Sequence, residues 1–84
     1  MTIDQWSPVP IFRQLADLIA ADIEAGVYTP GTPLPSELSL AQRYGVSRGT
    51  VRRATEELRE RELVVTLPQR GTYVRPLGSL QGRA

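Results

Sequence analysis

The sequence predicts a small domain of the α+β class, mainly α, with three helices followed by a two-stranded β-hairpin. Three observations predict it. An amphipathic segment in the N-terminal third is followed by two further helical segments, each opening on a serine and separated by a turn of about three residues. Beyond them, two short runs rich in β-branched residues flank the turn sequence Pro68-Gln69-Arg70-Gly71. With 84 residues, 40% of them hydrophobic, the chain suffices for one domain with one modest core and leaves no room for a second of ordinary size.

Between Pro10 and Gly26, the residues Ile11, Leu15, Leu18, Ile19 and Ile23 recur at i, i+4, i+7, i+8 and i+12, the spacing of one helical face. Ser7 or the prolines mark the start of this first helix and Gly26 its end. The segment Tyr28 to Pro35 holds Pro30, Gly31, Pro33 and Pro35, too many breakers for a helix. It predicts a turn or a very short strand near Thr32–Leu34, with Leu34 pointing inward. Ser36 then caps a second helix running to Tyr44, with Leu38, Leu40, Ala41 and Tyr44 as its apolar residues. Gly45 and Val46 interrupt it, Ser47 offers the next cap, and Val51, Ala54 and Leu58 mark the apolar face of a third helix to near Arg61. A strand at Leu63–Thr66, the turn, and a strand at Thr72–Val74 complete a wing, giving a three-helix winged helix-turn-helix with a two-stranded C-terminal β-wing.

The expected organisation is an N-terminal arm over residues 1–9, the folded domain over 10–75, and a flexible tail or the start of a linker over 76–84, which lacks periodicity and is rich in glycine and small polar residues. Trp6, just before the first helix, is expected to staple onto it or enter the core, with an exposed partner contact as the alternative.

Composition narrows the function classes. There is no cysteine and no histidine, which removes disulfides, thiolate metal sites and the commonest general base. The remaining carboxylates and hydroxyls read as caps and solvated groups, so neither a catalytic residue, a metal ligand nor a cofactor is expected. No segment approaches the roughly 18 apolar residues of a membrane span, and the N-terminus lacks a basic start followed by an apolar run. A cytoplasmic protein without a membrane partner is expected.

The net charge of +1 conceals an asymmetry: residues up to Gln42 carry Arg13 against Asp4, Asp17, Asp22, Glu24 and Glu37, about −4, and the remainder carries about +5. An anionic partner for the second half follows. Every basic residue is arginine, which suits bidentate contact with phosphate or guanine, and equally a GC-rich genome.

On the third helix Val51, Ala54, Thr55 and Leu58 share a face, whereas Gly49, Arg52 and Arg53 point away and Arg48 and Thr50 lie at the flanks. The arginines gather at the N-terminal end, and Glu56, Glu57 and Glu60 follow, the reverse of what dipole compensation favours. A helix entering a major groove by its N-terminal half explains that order, since arginines there meet phosphates and guanine edges. The alternative is a solvated charged helix with pairs such as Arg52–Glu56 and Arg53–Glu57. Gly49 weakens the helix by roughly 1 kcal/mol, which invites close approach to a ligand as its reason or, equally, neutral drift. Glu37 reads first as relief of the second helix's dipole, and second as a partner that orients an arginine of the third. Arg70, beside Gly71 at the wing tip, can reach a minor groove or phosphate, and Thr72 can donate to a phosphate.

Leu34-Pro35-Ser36-Glu37, Leu40-Ala41, Gly45-Val46-Ser47-Arg48, Thr50-Val51-Arg52 and Arg70-Gly71-Thr72-Tyr73-Val74, in this order and spacing, resemble the N-terminal DNA-binding domain of GntR-family transcription regulators. The resemblance covers Pro10 to Val74. It implies that Arg48, Thr50 and Arg52 contact DNA, that Ser47 caps the third helix near the DNA backbone, and that the wing around Arg70 to Thr72 enters or skirts the minor groove. The DNA-binding candidates are therefore Ser47, Arg48, Gly49, Thr50, Arg52, Arg53, Gln69, Arg70, Gly71 and Thr72. This sequence departs from the family pattern at Leu38, where an arginine is frequent, at Gln69, where a wing glycine is usual, at Thr55, where leucine is usual, and at Glu62, where a glycine commonly ends the helix. The resemblance further implies a bacterial repressor, more often than an activator, that binds a palindromic double-stranded operator as two copies and is nucleoid-associated through it. The recognition helix, about 47–61, would lie in the major groove and the wing, about 66–74, on the minor groove or backbone. The larger effector-binding and dimerising domain of most members is expected to be absent from this chain. A protein-interaction module is the reading of a different class, because a fold does not fix a function.

Overall fold

The computed structural model describes residues 3–76. The segment 77–84, the body of the expected tail, lies outside the described residues. Helix α1 spans Ile11–Glu24, α2 Glu37–Tyr44 and α3 Arg48–Glu60, followed by strands β1 at Val64–Leu67 and β2 at Gly71–Val74. The strands form one antiparallel sheet in the register Val64↔Val74 to Leu67↔Gly71. Three helices and a two-stranded wing are the predicted fold.

Each helix starts and stops where its local chemistry directs. Ser36 and Ser47 stand in extended conformation before α2 and α3, and their hydroxyls accept from the amides of Ser39 and Thr50, at 3.1 Å in both. Pro10 opens α1 with no side-chain cap, and its carbonyl accepts from Arg13 and Gln14. All three helices end alike: a residue in the left-handed region follows the last turn, and the next amide reaches back to a carbonyl five residues earlier, Val27 to Asp22, Val46 to Ala41 and Leu63 to Leu58. The left-handed residue is Gly26 after α1 and Gly45 after α2, but Glu62, at φ 63°, after α3.

The core is one cluster. Leu15, Ala16 and Ile19 of α1, Leu40 and Ala41 of α2, and Val51, Ala54 and Leu58 of α3 are buried together with Tyr28, Leu34, Val64 and Val74. Helix α3 packs against α1, α2 and β1. Leu38, grouped by sequence with the apolar residues of α2, is 51% exposed, because it follows Glu37 into the outward side of the first turn. Tyr28 and Tyr44 share a hydroxyl contact of 2.9 Å, and the Tyr44 hydroxyl donates to Asp22 Oδ2 at 3.0 Å, so one polar chain joins α1, the loop and α2. Burial first, then these hydrogen bonds, push the Tyr44 phenol well above its ordinary value.

The loop before α2 does form a minimal strand. Pro33 makes an isolated antiparallel bridge to Tyr73, and Leu34, Gly31 and Val74 exchange backbone hydrogen bonds with Thr72, Val74 and Thr32. The outer edge of β2 is thereby paired, which protects it. Strand β1 starts one residue later than expected because the Leu63 amide is still used in the end of α3, and β2 starts one residue earlier because Gly71 pairs with Leu67.

The arm corrects one expectation. Gln14 holds it: its Oε1 accepts from the Asp4 amide at 2.7 Å, and its Nε2 donates to the carbonyls of Asp4 and Val9 at 2.9 and 2.8 Å. The turn that follows, in which Asp4 Oδ1 accepts from the Trp6 amide, throws Trp6 outward. Trp6 is 95% exposed, neither staple nor core, and Ile3 packs against the core instead.

A non-glycine residue in the left-handed region costs about 1 kcal/mol, and the Glu62 side chain offers only a 3.9 Å pair with Arg75 in return. Glu62→Gly is therefore expected to raise stability by about 1 kcal/mol, or several degrees in Tm for a domain of this size. Urea and thermal unfolding of the two proteins check this, and a variant no more stable than the parent would contradict it.

Candidate nucleic-acid interface

The buried stripe Val51, Ala54, Leu58 fixes the rotation of α3, so the remaining faces of the helix are fixed too. Ser47, Arg48, Gly49, Arg52 and Arg53 are exposed along its first half, and Thr50 is half-buried. Ser47 donates its hydroxyl proton to Thr50 Oγ1 at 2.9 Å while accepting from the Thr50 amide, which locks the first turn. A Cβ on Gly49 would meet only Ser47 Oγ, at 3.9 Å, so nothing within the fold requires glycine there.

The arginines are not paired as the simple helical pattern suggests. Arg52 hydrogen-bonds across to α2, where Glu37 Oε2 accepts from its Nε and Glu37 Oε1 from its Nη2, both at 2.9 Å, and Glu56 acts on it only through its charge. Arg48 Nη2 approaches the same Oε1 at 3.5 Å. Glu37 therefore sits in the first turn of α2, as expected, and also orients an arginine of α3, the reading ranked second from sequence. The hydrogen bond from Arg52 is the main reason the Glu37 carboxyl lies below its ordinary value, and the same bond raises Arg52. Arg53 does not pair with Glu57: its guanidinium lies 4.2 Å from the centroid of the Phe12 ring on α1. Glu57 instead accepts from Arg61 at 3.0 Å, and Arg61 reaches Asp17 of α1 at 2.8 Å.

At the wing, Gln69, Arg70 and Gly71 are exposed at the tip and Thr72 is half-buried. Gln69 adopts φ 63° and Gly71 φ 105°, so the turn has its usual left-handed geometry with glutamine at one of the two positions. The Thr72 hydroxyl is shared with Thr66 at 3.1 Å, and Thr66 Oγ1 accepts from Arg59 Nη1 at 2.9 Å. This links the C-terminal half of α3 to both strands of the wing. Arg59 was missed from sequence, although its i+11 and i+7 spacing from Arg48 and Arg52 places the three on one stripe. The structure thus gathers six of the ten candidates on the first half of α3 and four at the end of the wing, with Arg59 between the two groups.

Among the described residues, no cluster of acidic side chains is arranged to hold a metal ion, and no helix is long and apolar enough to cross a membrane.

A family model described as bacterial regulatory proteins, gntR family, matches residues 12–74. The chain belongs to the GntR family. It is 40% identical over 74 residues to the HTH-type transcriptional repressor NagR of Bacillus subtilis, covering 88% of this chain and 30% of that protein. To the mannosyl-D-glycerate transport/metabolism system repressor MngR of Escherichia coli it is 42% identical, covering 79% of this chain and 28% of the repressor. This GntR-family chain therefore spans about three-tenths of the length of the curated relatives it matches. Its fold is shared with YtrA from Sulfolobus acidocaldarius, a GntR-family transcription factor, at a TM-score of 0.78 and 34% identity over 98% of this chain and 87% of that one. It is shared as well with AraR(DBD) solved in complex with operator ORX1, at a TM-score of 0.75 and 30% identity over 88% and 92%. Membership in a family of regulatory proteins accords with a binding domain rather than an enzyme.

Because the Glu37 carboxyl lies below its ordinary value of 4.5, the pair with Arg52 contributes stability that is fully present above pH 4.5 and is lost as pH falls through the folded value. In an NMR titration the Glu37 midpoint is expected below 4.5, rising toward it in Arg52→Ala. Equal midpoints in the two proteins would remove the pairing.

Proposed function

We propose that this chain is the sequence-specific double-stranded DNA-binding domain of a transcription regulator, most simply a repressor, acting in a bacterial cytoplasm. The observation that carries the reading is the first half of α3, where three arginines, a glycine and a capped turn project from a helix whose opposite face is wholly committed to the core. Relatives named as repressors, and a structural neighbour solved on its operator, support it.

In this reading α3 enters the major groove by its N-terminal half. Arg52 and Arg48 hydrogen-bond bases or phosphates, and Arg53, stacked on Phe12, reaches a phosphate. Ser47 and Thr50 hold the helix end against the backbone, and Gly49 lets the helix axis come close to the DNA. Gln69, Arg70, Gly71 and Thr72 at the wing follow the minor groove or its phosphates. The working domain is residues 10–75, and Gln14 ties the described part of the arm to it through Asp4 and Val9. Two copies occupy a palindromic operator, one per half-site.

Selection from random duplexes by the purified chain, followed by titration of the winner across salt concentrations, tests this reading directly. An enriched palindrome is the expected result, and the absence of any enriched motif would overturn sequence-specific binding in favour of a protein-interaction module. On the selected site Arg52→Ala should cost about 1 to 3 kcal/mol if it reads a guanine. Arg70→Ala should weaken all sequences alike and reduce the salt slope by about 1. Gly49→Ala separates fold from function: it should gain roughly 0.5 to 1 kcal/mol of stability while weakening operator binding. A variant that gains stability and keeps full affinity would show that close approach is not the reason for the glycine.

A further inference from the structure

Arg48 and Arg52 are equally exposed arginines on adjacent turns, yet their surroundings differ. Arg52 gives its Nε and one Nη2 proton to the two oxygens of Glu37, both at 2.9 Å, and among the described residues has no other hydrogen-bond partner. A guanidinium held along that side still presents a second edge, one N–H from Nη1 and one from Nη2, in a parallel fork. That fork matches the O6 and N7 acceptors of a single guanine. Arg48 has one contact, at 3.5 Å, which leaves its plane free to turn.

The geometry points to Glu37 as a positioning and specificity-determining residue that buttresses Arg52 for one guanine and turns it away from phosphate, leaving Arg48 as the adaptable phosphate contact. The inference rests on the DNA-binding reading above and assigns the division of labour within it. Two physical effects act together. The carboxylate fixes the plane of the Arg52 fork before DNA arrives, so less side-chain freedom is lost on binding. Its charge also repels phosphate oxygens and offsets the arginine, so Arg52 attracts an unspecific backbone poorly while still donating to a base edge. Glu37 can do this because Ser36 caps α2 and the packing of α2 on α3 sets the carboxylate beside the helix. It touches no DNA atom in this arrangement and acts through Arg52.

The test compares the parent chain, Glu37→Gln, Arg52→Ala and the double variant on the selected duplex, on versions with each G·C pair replaced, and on a random-sequence duplex, with thermal melts confirming that each protein is folded. At one G·C pair the parent should discriminate by about ten-fold or more. Glu37→Gln should lose most of that factor, bind the random duplex more tightly, and show a salt slope steeper by up to about 1. In the Arg52→Ala background the same change should make no further difference to discrimination at that pair. Unchanged discrimination in Glu37→Gln would overturn the assignment, as would equal weakening on every duplex, which is the signature of a helix-capping role alone. A parent that selects no motif would overturn the DNA-binding reading and this inference with it, whereas a motif that survives Glu37→Gln unaltered sinks the buttress only.

Discussion

The rotation of α3 about its own axis is set by Val51, Ala54 and Leu58, each fully buried between α1, α2 and β1. The stripe they form recurs at three and four residues, so it leaves no second orientation in which the helix can bury as much apolar surface. Everything that bears on function inherits this constraint. With the stripe inward, Gly49, Arg52 and Arg53 must face out, Arg52 must pass beside the N-terminal turn of α2, and Arg59 must lie over the wing. Loss of a fully buried leucine such as Leu58 would cost about 2 to 5 kcal/mol, a large fraction of what a domain of this size has in reserve.

The wing depends on the same helix through a different set of bonds. An isolated two-stranded hairpin is marginal in water. Here β1 enters the core through Val64 and β2 through Val74, the segment around Pro33 closes the free edge of β2, and Arg59 bonds to Thr66, which shares its hydroxyl with Thr72. The tip at Gln69 to Gly71 projects from a hairpin anchored at its base, and the geometric relation between α3 and the wing is therefore a property of the folded domain.

How much of this is legible in the sequence follows from whether a residue's role is local. Ser36 and Ser47 announce their helices because a cap is satisfied within three residues, and Gly45 announces the turn because the left-handed conformation is a property of one residue. Glu62 and Gln69 adopt that conformation without glycine's signature; only the departure from the family pattern marked them. Roles that need a partner from another element are faint in the sequence, where Glu37 as the partner of an arginine of α3 stands only second. Glu37 joins Arg52 across 15 residues, and Arg53 finds Phe12 on α1, whereas the sequence offered nearer partners at i+4 for both arginines. Trp6 looked like the natural staple by size, but the bonds of Gln14 decide where the arm turns, and they bring Ile3 to the core instead.

The same distinction changes what the charge asymmetry means. The sequence divides into an acidic first half and a basic second half, and on that division alone nearly every arginine after Gln42 would face an anionic partner. The fold spends several of them internally. Arg61 closes on Asp17 and Glu57 and ties α1 to α3, Arg43 lies over the rings of Tyr28 and Tyr44, and Arg75 lies near Glu62. Part of the acidic half is thus the structural counterion of the basic half. Among the described residues of α3 and the wing, what remains outward is Arg48, Arg52, Arg53 and Arg59 on the helix and Arg70 at the hairpin tip, with Glu37 already offsetting the first two. A surface with so few free charges attracts a phosphate backbone only modestly, so in the proposed reading discrimination among duplexes has to come from the direction in which individual guanidinium groups are held. The sequence supplies the arginines, and the packing of α2 against α3 determines which of them is aimed.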